Sequence, residues 1–216
     1  MKNRIKAILF VFALLLLIAC SPPADQQEEP KEPAKEEVPK ESPLGIKIIE
    51  AADFEVGKLA YDGEIVEKRA WLDAKGENIV LFTQKEEELF VYHYAIKADS
   101  ALLLRRIYDF EKDCEFDQTL EFVEASIGVT DLDEDNLGEI TFAYRKACIS
   151  DVSPLELKLL MLEDGEKYII RGNTLITFGE ESIGGDKEVD ASFEAAPKVF
   201  LEHALEVWDA VVPMSY

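Results

Sequence analysis

Histidine is scarce in this chain: His93 and His203 are the only two in 216 residues. That excludes a histidine-rich metal site and the H-E-x-x-H zinc motif. Cysteine is nearly as rare, at three, and the absence of Cys-x-x-Cys excludes a thiolate zinc centre. There is no G-x-S-x-G and no phosphate-cradling glycine loop, so no recognisable catalytic motif is present. Positive charge is also short, with 23 Lys and Arg against 45 Asp and Glu and a net charge of −22. Such a chain is a poor partner for nucleic acid or for an anionic lipid surface. Finally, the main apolar run, Ala7 to Ala19, falls short of the roughly 20 residues a membrane-crossing helix needs.

What stands at the N-terminus is more specific. Lys2, Arg4 and Lys6 precede the apolar run, and Leu17-Ile18-Ala19-Cys20 closes it. A charged segment, a short apolar segment and a small residue together read as a secretory signal. With the cysteine immediately after Ala19 they resemble the bacterial lipobox. The resemblance implies cleavage after residue 19 and lipid on Cys20, so that the chain meets the membrane through a lipid anchor. Loss of residues 1–19 takes the net charge close to −25. The bland reading of that acidity, solvation of the surface, is the one we adopt.

Residues 20–45 form the next unit. From Ser21 to Gly45 stand six of the nine prolines, together with many acids and three lysines. So little apolar surface cannot offset the entropy of ordering. An extended stalk is expected, reaching up to about 75 Å at ~3.1 Å per residue. Residues 46–216 remain, enough for a single domain with its own core.

In that domain, four- to eight-residue apolar or alternating segments separated by turn residues predict strands. They are Ile65–Leu72, Asn78–Thr83, Leu89–Ile96, Ala101–Tyr108, Leu120–Val123, Glu139–Arg145, Leu155–Leu162, Tyr168–Arg171 and Thr174–Phe178. Asp62-Gly63 and Asp164-Gly165 mark hairpins, because Gly supplies the positive φ of a tight turn. A Gly-Glu pair precedes an apolar strand at Gly63, Gly76, Gly138 and Gly165, a weak echo that suggests a meander of blade-like sheets. The period then changes. Phe193, Phe200, Ala204, Val207, Trp208 and Val211 share one helical face, with Pro197 in its first turn and Pro213 ending it. The expected fold is mainly β (α+β): antiparallel meander or blade-like sheets with one C-terminal amphipathic helix. His93 within an apolar strand and His203 beside the helical seam read as core or face histidines.

Two sets of residues bear on chemistry. With Cys20 lipidated, Cys114 and Cys148 remain as a pair. Outside the cytoplasm they form a disulfide or persist as two buried thiols, and pairing is the expectation. Asp131-Leu132-Asp133-Glu134-Asp135-Asn136-Leu137-Gly138-Glu139 places acids at positions 1, 3, 5 and 9 of a tight loop. Oxygens of Asp131, Asp133, Asp135 and Glu139, with the Leu137 carbonyl, suit calcium. Phe142 stands where an EF-hand has its bidentate Glu, and Asn136 replaces the usual glycine. The spacing instead resembles the hairpin loop of FG-GAP or VCBS-type repeats in extracellular β-proteins. The alternative is an acidic turn kept for solubility. If the disulfide forms, Asp117, Glu121, Arg145, Asp151 and Ser153 are candidates for a polar patch near the acidic loop.

Asp113 to Asp117, Leu120-Glu121-Phe122, Val129 to Asp133, Ala143-Tyr144-Arg145, Cys148, Ser150 to Pro154, Leu157-Lys158-Leu159, Lys167-Tyr168 and Arg171-Gly172 occur in order. Together they resemble bacterial lipoproteins labelled surface polysaccharide biosynthesis proteins, common in Bacteroidetes-type bacteria. The resemblance implies an outer-membrane lipoprotein, facing the periplasm or the cell surface, with a glycan or envelope-protein partner. It implies no catalytic residues. A non-enzymatic binding or scaffolding role is the first expectation. The alternatives are an extracytoplasmic module that binds or inhibits a basic protein or solute, and a glycan-acting enzyme using Asp117, Glu121, Glu139 or Asp151.

Overall fold

A computed structural model of the chain describes residues 45–51, 56–57, 59–98 and 100–214. The leader, Cys20 and nearly all of the stalk lie outside the described residues. Two antiparallel meanders account for most of what is described. The first sheet has the order β1 (Lys47–Ile49), β2 (Glu64–Asp73), β3 (Gly76–Lys85), β4 (Glu88–Lys97) and β5 (Ser100–Phe110). The second comprises β6 (Asp117–Thr130), β7 (Glu139–Ile149), β8 (Glu156–Glu163) and β9 (Glu166–Asn173), with β12 (Lys187–Val189) on the far edge of β9. A small third sheet joins β10 (Leu175–Phe178) to β11 (Glu181–Gly184) and, in parallel, to β13 (Pro213–Met214). One α-helix, α1 (Lys198–Val211), closes the chain. The architecture is therefore mainly antiparallel β with a single C-terminal helix, and among the described residues no sheet closes into a barrel.

Local chemistry explains the meanders. Asp164 and Gly165 both take positive φ, 43° and 85°, as the tight β8–β9 hairpin requires. The four Gly-Glu pairs mark the starts of β2, β3, β7 and β9. The sequence predicts β6 only over Leu120–Val123, yet it continues to Thr130 through a register shift between Val123 and Gly128. Ser126 makes the continuation possible. Its hydroxyl donates to the Val123 carbonyl (2.5 Å) and accepts from the Ala143 amide (2.7 Å), standing in for ladder bonds the bulge removes.

Period-2 alternation produces three apolar clusters: one between the sheets, one under the helix, and one on the outer face of the first sheet that leaves Tyr108 and Phe110 exposed. Between the sheets, Trp71, Val80, Phe82, Leu89, Val91 and Ile107 meet Ile140, Phe142, Tyr144, Leu160, Leu162 and Ile169. Phe82 and Phe142 pack edge to face at 5.2 Å. On the other face of the second sheet, Leu157, Leu159, Met161 and Ile170 receive Phe200, Ala204, Trp208 and Val211 of α1. Two expectations about this helix need correction. Phe193 joins the same core but from a separate 3-10 turn, Ala191–Glu194, because Pro197 interrupts the helical period. Pro197 itself is the N-cap, one place before the first turn.

Cys114 and Cys148 form a disulfide, with Cα atoms 5.6 Å apart. Cys114 lies in the connection between the two sheets and Cys148 near the end of β7. The bond pins that crossover to the second sheet, and closing a loop of this length stabilises the fold by about 3–4 kcal/mol.

Candidate functional site

The acidic loop follows β6 and leads into β7. Its left-handed positions are Glu134 (φ 61°) and Asn136 (φ 66°). Asn136 thus takes the conformation usually given to glycine, at small cost for an Asn side chain. The loop is clamped to the first sheet. The Ala74 amide donates to the Asn136 carbonyl (2.9 Å), and the Gly45 amide to Asn136 Oδ1 (2.7 Å). Asp73 Oδ2, at the end of β2, accepts from Trp71 Nε1 (3.0 Å), Asn78 Nδ2 (2.8 Å) and the Gly138 amide (3.4 Å).

Within the loop the carboxylates converge in two groups that share Asp133. One is Asp131, Asp133 and Glu139; the other is Asp133, Asp135 and Glu163. In each group one oxygen per residue lies within 4.8 Å of the others. That span is about twice a calcium–oxygen bond of ~2.3–2.6 Å, so oxygens on opposite sides of one cation would be spaced this way. Glu139 is fully buried. It accepts from the Thr130 hydroxyl (3.0 Å) and from the Leu132 amide (3.0 Å), which fixes its head inside the loop. Burial nevertheless raises its pKa to about 7. Glu163 is also raised to about 7, by burial first and then by Asp135, Asp133 and Asp164. Asp131 Oδ1 and Glu163 Oε1 are buried without a hydrogen-bond donor. The donor set is all hard oxygen, which fits calcium rather than a softer transition metal. Leu137 lies in the loop with its amide donating to Asp135 Oδ1 (2.7 Å).

Glu163 is absent from the loop motif. It stands directly opposite Glu139 in the β7–β8 pairing. The Asp164-Gly165 turn sets the β8–β9 register, so no local signal in the sequence brings Glu163 to Glu139.

The other expected residues sit elsewhere. Asp117 pairs with Ile149 and Glu121 with Arg145 across β6 and β7. Arg145 Nη1 is 3.9 Å from Glu121, and its Nη2 donates to the Val211 carbonyl (2.8 Å). The Ser153 hydroxyl donates to Asp151 (2.6 Å) in the turn before β8. This polar group gathers near the disulfide, not near the acidic loop. Glu139 begins β7 and Cys148 almost ends it, and about nine residues at ~3.3 Å each separate the two ends by roughly 30 Å.

No protein-family model, curated protein or solved structure matches this chain. Function therefore rests on its own surfaces.

One surface was not expected. Arg106, Tyr108 and Phe110 alternate along β5 onto the outer face of the first sheet, beside Phe90, Tyr92 and Tyr94 of β4. Tyr108 stacks on Phe90 at 5.1 Å and contacts Phe110 at 5.7 Å. The Arg106 guanidinium lies over Phe90 (5.1 Å), Tyr108 (5.5 Å) and Tyr92 (5.8 Å). Tyr92 and Tyr94 are buried, but Tyr61, Tyr108 and Phe110 are 37%, 43% and 46% exposed. A groove of about 620 Å³ runs here, lined by Leu59, Ala60, Tyr61, Asp62, Tyr92 and Arg106. Asp62 and Tyr92 hold each other: the Asp62 amide donates to the Tyr92 hydroxyl (3.1 Å), which donates to Asp62 Oδ2 (3.3 Å). The Arg-x-Tyr-x-Phe alternation was visible in the sequence, but aromatic residues on strands read first as core.

The histidines lie outside both surfaces. His93 is fully buried, its Nε2 3.0 Å from Asn78 Oδ1, and burial lowers its pKa to about 4, which keeps the ring neutral.

Proposed function

We propose that this chain is a lipid-anchored, non-catalytic protein of the cell envelope that binds a surface glycan on the outer face of its first sheet. The observation that carries the reading is the exposed aromatic row beside a groove with fixed polar groups. A sugar ring offers one C–H face for an aromatic plane and hydroxyls around its rim. Tyr61, Tyr108 and Phe110 supply the planes, while Asp62 and Arg106 supply an acceptor and donors. Exposed aromatic clusters of this kind otherwise cost solubility, so they mark interaction surfaces.

Cys20 and its lipobox-like context supply the anchor in this reading, and residues 20–45 supply the stalk. The resemblance to lipoproteins labelled for surface polysaccharide biosynthesis supplies the envelope process. Calcium in the acidic loop would hold the ends of β6 and β7 against the β2–β3 turn and so stiffen the domain. Binding suits the acids better than hydrolysis does. A glycosidase needs two carboxyl groups about 5–9 Å apart across the scissile bond, and none of Asp117, Glu121, Glu139 and Asp151 lines the groove beside the aromatic row.

The role is tested in cells. Loss of the gene is expected to alter the length or amount of surface glycan. Complementation with the chain restores it, and complementation with Tyr108→Ala/Phe110→Ala does not, although both side chains are exposed and the variant folds. Electrophoresis of extracted glycan reads this out. An unchanged glycan profile in the deletion strain would remove the role.

A further inference from the structure

The chain is strongly acidic, yet it concentrates cations in one place. Beside the aromatic face, across the edge strand β5, lies a cleft of about 450 Å³ between the two sheets. Arg106, Lys158, Lys167 and Arg171 line it, and Asp109 is the one acid among the lining residues. Sheet register puts them there. Tyr144, Lys158 and Arg171 are direct cross-strand neighbours on β7, β8 and β9, on the face that farther along carries the inter-sheet core. Lys167 is two residues from the core residue Ile169 on the same strand face.

Lys158 and Arg171 directly opposite one another form a like-charge pair, which destabilises a sheet. Asp109 offsets part of this. It takes Lys158 Nζ at 2.5 Å, Lys146 Nζ at 3.2 Å and the Tyr144 hydroxyl at 2.7 Å. Arg171 is tied to Asp190 at 3.0 Å. Lys167 has no ion-pair or hydrogen-bond partner among the described residues. Lys158 also takes Glu156 at 2.9 Å, and the Arg106 guanidinium lies on the outer face, 3.7 Å from Asp62, so Lys167 is the uncompensated cation of the cleft, with Lys158 and Arg171 beside it to focus the field on a small anion.

We infer that this cleft is an anion subsite that takes a carboxylate or phosphate group carried on the ligand. That the carrier is a sugar rests on the glycan reading above. Arg106 borders both the aromatic groove and the cleft at the edge strand β5, so a ligand with a ring on the aromatic face would have to extend its acidic substituent around that edge to meet Lys158, Lys167 and Arg171.

Calorimetry on the full chain in detergent distinguishes the possibilities, using trigalacturonate, its methyl ester and inorganic phosphate as probes. The acid is expected to bind at least tenfold more tightly than the ester. Lys167→Gln should abolish that preference at an unchanged melting temperature, and raising salt from 50 to 500 mM should shrink it. Equal binding of acid and ester would overturn the subsite while leaving the glycan reading intact. Binding of phosphate alone, lost in Lys167→Gln, would uphold the subsite and remove the sugar. No response to any probe would overturn the subsite.

Discussion

At pH 8, calcium raises the melting temperature of this protein by roughly 5–10 °C, and at pH 5 it raises it far less. The size follows from linkage. A ligand at a hundred times its Kd stabilises by about 2.7 kcal/mol, and a domain of this length gains roughly 2–4 °C per kcal/mol. The pH dependence follows from Glu139 and Glu163. Both have folded pKa values raised from 4.5 to about 7. A carboxyl group raised on folding binds more protons folded than unfolded between those values. Stability is therefore highest below about pH 4.5 for these groups and falls as pH rises through 7. For Glu139 the loss is on the order of 3 kcal/mol, and for the more exposed Glu163 it is smaller.

A cation among the ionised oxygens reverses that cost, because it replaces the missing donors at Asp131 Oδ1 and Glu163 Oε1. Glu139→Gln should raise the melting temperature at pH 8 in chelator and remove most of the calcium response. Scanning calorimetry at both pH values, with calcium and with chelator, measures all of this. A calcium effect that is absent at pH 8, or equal at pH 5 and pH 8, would contradict a calcium-binding loop.

Gly138→Ala is expected to destabilise the fold by about 3 kcal/mol or more, although it adds a single methyl group. A Cβ at residue 138 would stand 2.2 Å from Trp71 Nε1 and 2.6 Å from Cδ1. Trp71 is fully buried, with His93 at 5.3 Å on one side. The indole cannot move without losing its bond to Asp73, which is itself 7% exposed. Overpacking and a weakened buried carboxylate network therefore add together. The same shift loosens the turn that receives the acidic loop, so the variant should also bind calcium more weakly. Urea unfolding gives the stability. Trp71→Phe removes the nearest atom of the clash, so the double variant should lose less than the two single losses combined. A Gly138→Ala protein within 0.5 kcal/mol of the parent would mean that Trp71 does not pack against residue 138.

Much of this fold was legible because its strands alternate and its turns carry Gly. Leu155 to Leu162 and Leu89 to Ile96 read directly, and Asp164-Gly165 marked its own hairpin. The disulfide was legible once the lipobox resemblance set Cys20 apart and left Cys114 and Cys148 as a pair. Other features depended on tertiary context. The polar run Glu124-Ala125-Ser126 looks like a strand end, and only the side chain of Ser126 lets β6 continue. Phe193 fits the helical period but is cut off by Pro197. The acidic loop was visible as spacing, but Glu163 joins it through strand register, which no local motif encodes. The aromatic row and the basic cleft were hidden by composition. Tyr108 and Phe110 look like core residues until the sheet has an outer face, and three cleft cations go unnoticed in a chain of net charge −22.

Glycan binding at the outer face of the first sheet is tested most directly by affinity electrophoresis of the full chain through gels containing surface polysaccharide from its own source cells. The parent protein should be retarded in proportion to polysaccharide concentration. Tyr108→Ala/Phe110→Ala should migrate as in a plain gel while still melting cooperatively, a few degrees below the parent because the stacking on Phe90 is lost. Equal retardation of both proteins, or of neither, would contradict binding through the aromatic row.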